Sequence, residues 1–230
     1  MISLVTVLII CYLIGSIPSS IWMGRLFRNV DIRDYGSGNA GATNTFRVLG
    51  WRSGVVVLIL DFSKGLITTL VVSQLAWDIA SGPVSPVMWD TESFLKISCG
   101  VMAVLGHMFP VFASFEGGKG AATAAGMLYG IEPISVTISV ILFILTILFT
   151  RYVSLGSIMA SLVYPFSQLL LNSHYNWEID PSILIFSSVM AFGIIVKHHA
   201  NIRRLLKGTE NRVESFKPSN GILNKEGEKT

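Results

Sequence analysis

Long apolar runs, separated by short breaks in which the basic residues collect, constrain this 230-residue chain more than any other feature. Residues 2–14 (ISLVTVLIICYLI) continue through the weaker GSIPSSIWMG to Gly24, and strong runs follow at 53–75, 95–115, 134–150, 153–171 and 182–196. A weaker run, GAATAAGMLYGI, occupies 120–131. About 20 mostly apolar residues carry a helix across a bilayer, and helices satisfy their own backbone where no water can. Only 13% of the residues are charged, against about 25% in a soluble domain. The runs predict an all-α, polytopic membrane protein with about seven transmembrane helices, some of them short.

Lys and Arg set the orientation. Arg25, Arg28, Arg33, Arg47 and Arg52 fill the first break, Lys119 and Arg151 stand at later ones, and eight more follow from Lys197 onward. The alternate breaks at 76–94, 132–133 and 172–181 hold no Lys or Arg but do hold Asp78, Asp90, Glu92, Glu132, Glu178 and Asp180. Seven crossings, with the N-terminus outside and the C-terminus cytoplasmic, put every basic break on one face. The pI near 8.9 then reflects one-sided topology, and no nucleic-acid partner is expected. Five arginines after the first run argue against a cleaved signal peptide, whose charge precedes its apolar core. The expected organisation is a helical transmembrane domain over 1–207 and a polar cytoplasmic tail over 208–230 that frays. Cys11 and Cys99 lie inside apolar runs and read as packing residues. Pro18, Pro110, Pro133 and Pro165 predict kinks or helix ends whose freed carbonyls need protein partners.

Three polar clusters fall at the basic breaks. The first, RDYGSGNAGATNTFR (33–47), contains G-x-G-x-x-G, but no strand pattern precedes Gly36 and the acid about 20 residues on, Asp61, sits in an apolar run. A dinucleotide fingerprint needs both. Glycine-freed backbone followed by Ser37, Gly38, Asn39, Thr43, Asn44 and Arg47, with a helix starting near Ala42, reads instead as an anion site. The second cluster is GHMFPVFASFEGGKGAAT (106–123). Its GGKG lacks the spacing of a Walker loop, yet Gly117, Gly118 and Gly120 permit close backbone approach and Lys119 adds a point charge. The third, KHHANIRRLLKGTE (197–210), places His198, Asn201 and Leu205 on one stripe of a helix. Contact with anionic lipid would need only Arg203, Arg204 and Lys207.

Convergence of these clusters on one face points to a phosphate-bearing substrate, and the apolar bundle points to a lipid as the other. The chain has no H-x-x-x-x-D pair, no Asp-Gly, no nucleophile elbow and no cluster of acids spaced for a metal pair. A membrane transporter of phosphorylated metabolites is the alternative; it predicts symmetry-related broken helices and a midplane site, and the sequence carries no repeat. A non-catalytic lipid-binding protein would not need His107, His198 and Asn201.

In order, GSGNAGATNTFR, GHMFPVFASFEGGKGAAT and HHANIRRLLKGTE resemble the motifs of the bacterial membrane acyl-phosphate:glycerol-3-phosphate acyltransferase (PlsY) family, over nearly the whole chain. The resemblance implies transfer of a fatty acyl group from acyl phosphate to the sn-1 hydroxyl of glycerol 3-phosphate, giving lysophosphatidate and phosphate at the first step of bacterial phospholipid synthesis. It implies a multi-pass protein of the bacterial inner or plasma membrane with its site on the cytoplasmic face. It also implies no cofactor, no metal, and no need for coenzyme A or acyl carrier protein. Carried over by position, Ser37, Arg47, His107, Lys119, His198 and Asn201 are the expected catalytic residues. Gly38, Asn39, Thr43, Asn44, Gly117, Gly118, Gly120, Thr123 and Glu210 are the expected substrate-binding residues. Ala40 stands where the family commonly has proline, and Glu116 where it commonly has lysine. Asp61 and Lys64 (DFSKG) match a further family feature, and their i, i+3 spacing predicts a structural ion pair.

Overall fold

The computed structural model describes residues 4–77, 91–175 and 181–213. The acidic breaks around Asp78, Asp90, Glu178 and Asp180, and the tail beyond Val213, lie outside the described residues. Among the described residues every regular element is helical, as the runs predict.

The first run is broken at Pro18 into α1 (Leu4–Gly15) and α2 (Ser19–Arg28). Next come α3 (Ala42–Leu49) and α4 (Trp51–Ile67), the latter extended by a π turn at Thr68–Val72 into α5 (Ser73–Trp77). Then follow α6 (Thr91–Met108), α7 (Ala121–Ile131), α8 (Pro133–Thr150), α9 (Val153–Tyr175), α10 (Pro181–Lys197) and α11 (His199–Leu206). Among the described residues, five stretches are long and apolar enough to cross a membrane: Leu4–Arg28, Trp51–Ala76, Thr91–Ala113, Pro133–Thr150 and Val153–Leu171. The α10–α11 pair, bent by 60°, makes a sixth if taken as one span. The weakest run forms α7, whose eleven residues extend only about 16 Å.

The chain divides into two compact units, Met1–Ser81 with Leu95–Gly130 and Ser215–Thr230, and Gly82–Phe94 with Ile131–Glu214. In the first unit, glycine lets helices touch backbone to backbone, the usual device where lipid removes the hydrophobic drive between helices. A β-carbon on Gly106 of α6 would strike Tyr12 O of α1, and one on Gly126 of α7 would strike Phe62 O of α4. Tyr12 Oη donates to Phe109 O at 2.7 Å, tying α1 to the end of α6. Cys11 and Cys99 are free and fully buried, in keeping with a packing role. At the Pro18 break Lys64 Nζ donates to Ile17 O at 2.6 Å. The same ammonium meets Asp61 Oδ1 at 2.7 Å, which is the i, i+3 pair the spacing predicts.

In the second unit Pro133 occupies the first turn of α8, where its missing N–H costs nothing, and Glu132 caps the helix by accepting from Ser135 N at 3.1 Å. Arg151, in the left-handed region, turns the chain from α8 into α9. Pro165 lies inside α9. One turn away, Gln168 joins α9 to α10 by accepting from Ser187 Oγ at 2.9 Å, a buried interhelical polar bond. The opening of the expected tail does not fray. Val213 N donates to Arg151 O at 2.8 Å and Arg212 Nε to Tyr152 Oη at 2.8 Å. The side chain of Glu210, described below, holds this return.

Candidate active site

The first polar cluster is a folded loop that ends in α3. Asn44, fully buried, organises it: Oδ1 accepts from Ser37 N at 2.8 Å, and Nδ2 donates to Ile32 O and Tyr35 O, both at 3.0 Å. Both ends of its amide are thus engaged in holding the loop. Three N–H groups of the glycine-rich stretch are likewise bonded within the loop. Gly38 N is bonded to Tyr35 O at 3.1 Å and Gly41 N to Asn39 O at 3.0 Å, and Ser37 N is taken by Asn44. Gly38, at φ +71, takes the left-handed turn that glycine adopts without penalty. What survives of the anion site is the start of α3 at Ala42, where Gly41 supplies no side-chain cap, so the dipole's positive end is not neutralised there. Ser37 and Thr43 are exposed, Asn39 is half-buried, and Arg47 is half-buried in the last turn of α3.

Arg33, at the head of this loop, was missed as a site-building residue. Its guanidinium forks onto Asp31, with Nε 3.0 Å from Oδ1 and Nη2 2.8 Å from Oδ2. Nη1 reaches Ala113 O at 3.2 Å and Glu116 O at 3.4 Å in the second cluster. The Arg33 hydrogen bonds hold the Asp31 carboxyl at about 2, far below the usual carboxylate range. Glu116 also lies 3.4 Å from Arg33 through Oε2 but is 77% exposed, so this pair contributes little. The unusual acid thus faces a cation already in place.

The second cluster wraps around His107. Its ring is buried at the end of α6 with Nδ1 3.6 Å from Asp61 Oδ1. His107 O accepts from Gly118 N at 3.1 Å. A β-carbon on Gly118 would collide with His107 Nε2 and lie 2.7 Å from Ala40 O. Gly118 is therefore the point where the first loop, the second loop and the histidine meet, and only a residue without a side chain fits. Gly117 packs as closely on His107 O and Pro110. Lys119 is half-buried, and Gly120, at φ +81, leads into α7. Thr123 is fully buried on α7, with its carbonyl against Gly65 of α4. A narrow cleft opens beside these groups, lined among others by Ala40, Asp61, His107, Gly117 and Gly118, with Ser19 and Ser20 at the α1–α2 break.

The third cluster forms in the second unit. His198 sits at the bend between α10 and α11, 4% exposed, with Nδ1 2.8 Å from Ile194 O. A carbonyl only accepts, so Nδ1 carries the proton and Nε2 is the basic nitrogen of the neutral ring. Asn201 Nδ2 donates to Glu210 Oε1 at 2.7 Å, Ser154 Oγ to the same oxygen at 2.8 Å, and Arg204 Nε to Oε2 at 2.6 Å. Burial raises the Glu210 carboxyl, but these three donors outweigh it and leave it below its ordinary value. The Glu210 oxygens hold Asn201 and Arg204 in place.

In this helical integral membrane protein, two glycine-rich loops thus pack on a buried histidine with a basic residue beside each. A family model for glycerol-3-phosphate acyltransferase matches residues 5–208, and the chain belongs to that family. It is 43% identical over 222 residues to a glycerol-3-phosphate acyltransferase of Salinibacter ruber, covering 96% of this chain and 97% of the relative. It is also 43% identical to one of Chlorobaculum parvum, covering 93% and 97%. Among solved structures it is similar to PlsY (YgiH), an integral membrane glycerol 3-phosphate acyltransferase. The glycerol 3-phosphate form matches with TM-score 0.76 and 37% identity over 91% of this chain and 95% of that one. The lysophosphatidic acid form matches with TM-score 0.73 and 36% identity over 91% and 94%.

Proposed function

We propose that this acyltransferase moves a fatty acyl group from acyl phosphate to the sn-1 hydroxyl of glycerol 3-phosphate, releasing lysophosphatidate and inorganic phosphate. The observation that carries this reading is the junction at Gly118, where a lysine-bearing loop, an arginine-bearing loop and His107 are packed into one rigid wall. The hydroxyl oxygen attacks the acyl carbonyl carbon, the bond from that carbon to the phosphate oxygen breaks, and the departing phosphate takes up the hydroxyl proton. A mixed anhydride already has a good leaving group, so the protein's task is alignment and charge stabilisation.

Arg47, Lys119 and the uncapped start of α3 suit phosphate oxygens, with Ser37, Thr43 and Asn39 as donors around them. Ser37 acts as a donor and forms no acyl-enzyme. His198 and Asn201 orient substrate, Asn201 being fixed by Glu210. Coenzyme A and acyl carrier protein have no part in the transfer. The protein sits in the bacterial inner membrane with its basic breaks and active site on the cytoplasmic side. A single cysteine at Thr209, in a background lacking Cys11 and Cys99, then labels from that side alone; labelling from outside would reverse the topology.

Purified protein given palmitoyl phosphate and glycerol 3-phosphate should release phosphate and lysophosphatidate, and give no product with palmitoyl coenzyme A. Activity with the thioester alone would overturn the donor assignment. An acyl adduct on Ser37, formed without acceptor and chased into product by it, would overturn direct transfer.

A further inference from the structure

Ser19 lines the narrow cleft beside the Gly117–Gly118 loop, together with Ala40, His107 and Asp61. The residue is 5% exposed, and its Oγ is buried with no hydrogen-bond partner among the described residues. Other buried hydroxyls in this protein return to the carbonyl four residues back: Thr68 to Lys64 O at 2.8 Å, Ser139 to Ser135 O at 2.8 Å. Ser19 opens α2 directly after Pro18, so no helical carbonyl stands behind it. It does not cap the helix either, since Pro18 holds that place. Ser16, Thr69, Thr123 and Ser135 also carry unpartnered buried hydroxyls, but none of them lines this cleft. A buried polar atom without a partner is disfavoured unless something supplies one, and here the open side is the cleft.

The lining tells what the partner is. Beside the apolar Ile17, Ile21 and Ala40 it contains a carboxylate, an imidazole, hydroxyls and glycine backbone, and neither Lys nor Arg. Asp61 is already paired with Lys64 at 2.7 Å, and the space is about that of one water, too small for a phosphate or an acyl chain. A neutral hydroxyl group fits. Lys119, the cation suited to phosphate, follows Gly118 directly in sequence, so a hydroxyl next to a phosphate-bearing carbon lies within reach of the cleft when the phosphate is at the loop. We propose that Ser19 binds the C2 hydroxyl of glycerol 3-phosphate and so decides which of the two hydroxyls is acylated. This rests on the acyl-transfer reading above. An acceptor with two hydroxyls needs such a device, because the acyl donor alone does not distinguish them, whereas a site that pairs one hydroxyl rejects the misplaced pose by leaving its own polar group unpaired.

The test compares two acceptors with palmitoyl phosphate: glycerol 3-phosphate and 3-hydroxypropyl phosphate, which lacks the C2 hydroxyl. Ser19→Ala should lower kcat/KM for glycerol 3-phosphate by about tenfold, the size of one lost hydrogen bond, and leave the deoxy acceptor within about twofold. Product from Ser19→Ala should also contain the 2-acyl isomer. Ser19→Thr, which keeps the hydroxyl, should retain the preference for glycerol 3-phosphate. The ratio of the two acceptors in one preparation is independent of how much of it is folded, so partial misfolding does not mimic the result. An equal fall for both acceptors, or none for either, overturns the assignment and leaves Ser19 a structural residue. Wild-type protein inactive toward both acceptors would refute acyl transfer itself, and this subsite with it.

Discussion

Asp61 in the first unit and Glu210 in the second are both carboxylates withdrawn from water among hydrogen-bond donors, but they are held in different ways. Asp61 is 2% exposed, its partner Lys64 6% and His107 8%, so the whole chain of charge is inside the helix layer. Glu210 is 6% exposed, yet its cationic partner Arg204 is 38% exposed, and the chain reaches it by folding back after α11. The first arrangement has no water to fall back on when a member is removed, whereas the second does. The loops in the first unit are accordingly set by desolvated charge and glycine contacts, and the third motif by a tether at its rim.

Asp61→Asn is the harshest way to break that contrast, because it leaves Lys64 buried without its counter-charge. Removing one member of a buried pair costs about 3–5 kcal/mol, so melting in detergent should fall sharply and activity with it. A loss no larger than that of Glu210→Gln would erase the distinction. Gly118→Ala comes next. Its added methyl must displace the His107 ring or the Ala40 backbone. Small misplacement at a reacting centre can cost about 100-fold, and we expect that scale in kcat/KM with melting little changed. Wild-type turnover in this variant would dissolve the junction on which the functional reading rests.

Glu210→Gln should cost less, about 1–3 kcal/mol, as one charge-assisted partner is lost near the surface. Its sharper signature is pH. Because the folded carboxyl lies below its ordinary value, its stabilisation is complete above the unfolded pKa near about 4.3 and is lost as pH falls through the lower folded value. Wild-type melting should therefore drop on that acid limb, and the Gln variant should show a shallower drop. Asp31→Asn should have the smallest effect, about 0.5–1 kcal/mol, with its side chain 19% exposed. Since its carboxyl is held at about 2, its contribution persists to about pH 4 and disappears only as pH approaches 2. A large loss of glycerol 3-phosphate affinity in Asp31→Asn would promote the Asp31–Arg33 fork from a loop support to part of the site.

The sequence was informative wherever chemistry is local. Apolar runs of span length gave helices, the proline at 18 gave a break, and the i, i+3 spacing of Asp61 and Lys64 gave their pair, because each depends on neighbours a few positions away. The motifs were legible as donor-rich segments for the same reason. Residue types alone did not reveal which donors were already occupied. Asn44 reads as a ligand by composition, and only the folded loop shows its amide bonded to Ser37, Ile32 and Tyr35. Ser19 could have been suspected from GSIPSS, three serines around a proline inside an apolar run, since such polarity in a membrane segment asks for a reason.

By itself, then, the sequence determined that the chain is a helical membrane protein, where its helices break, and which segments are rich in glycine and hydrogen-bond donors. Those properties follow from hydrophobic length, charge bias and short-range backbone preference. Tertiary structure alone decided that Lys64 would also serve the Ile17 carbonyl, that Arg33 would join two loops, and that Gly118 would be pressed between His107 and Ala40. These contacts join residues far apart along the chain, and whether a polar group is available to a substrate depends on whether some distant partner has already satisfied it.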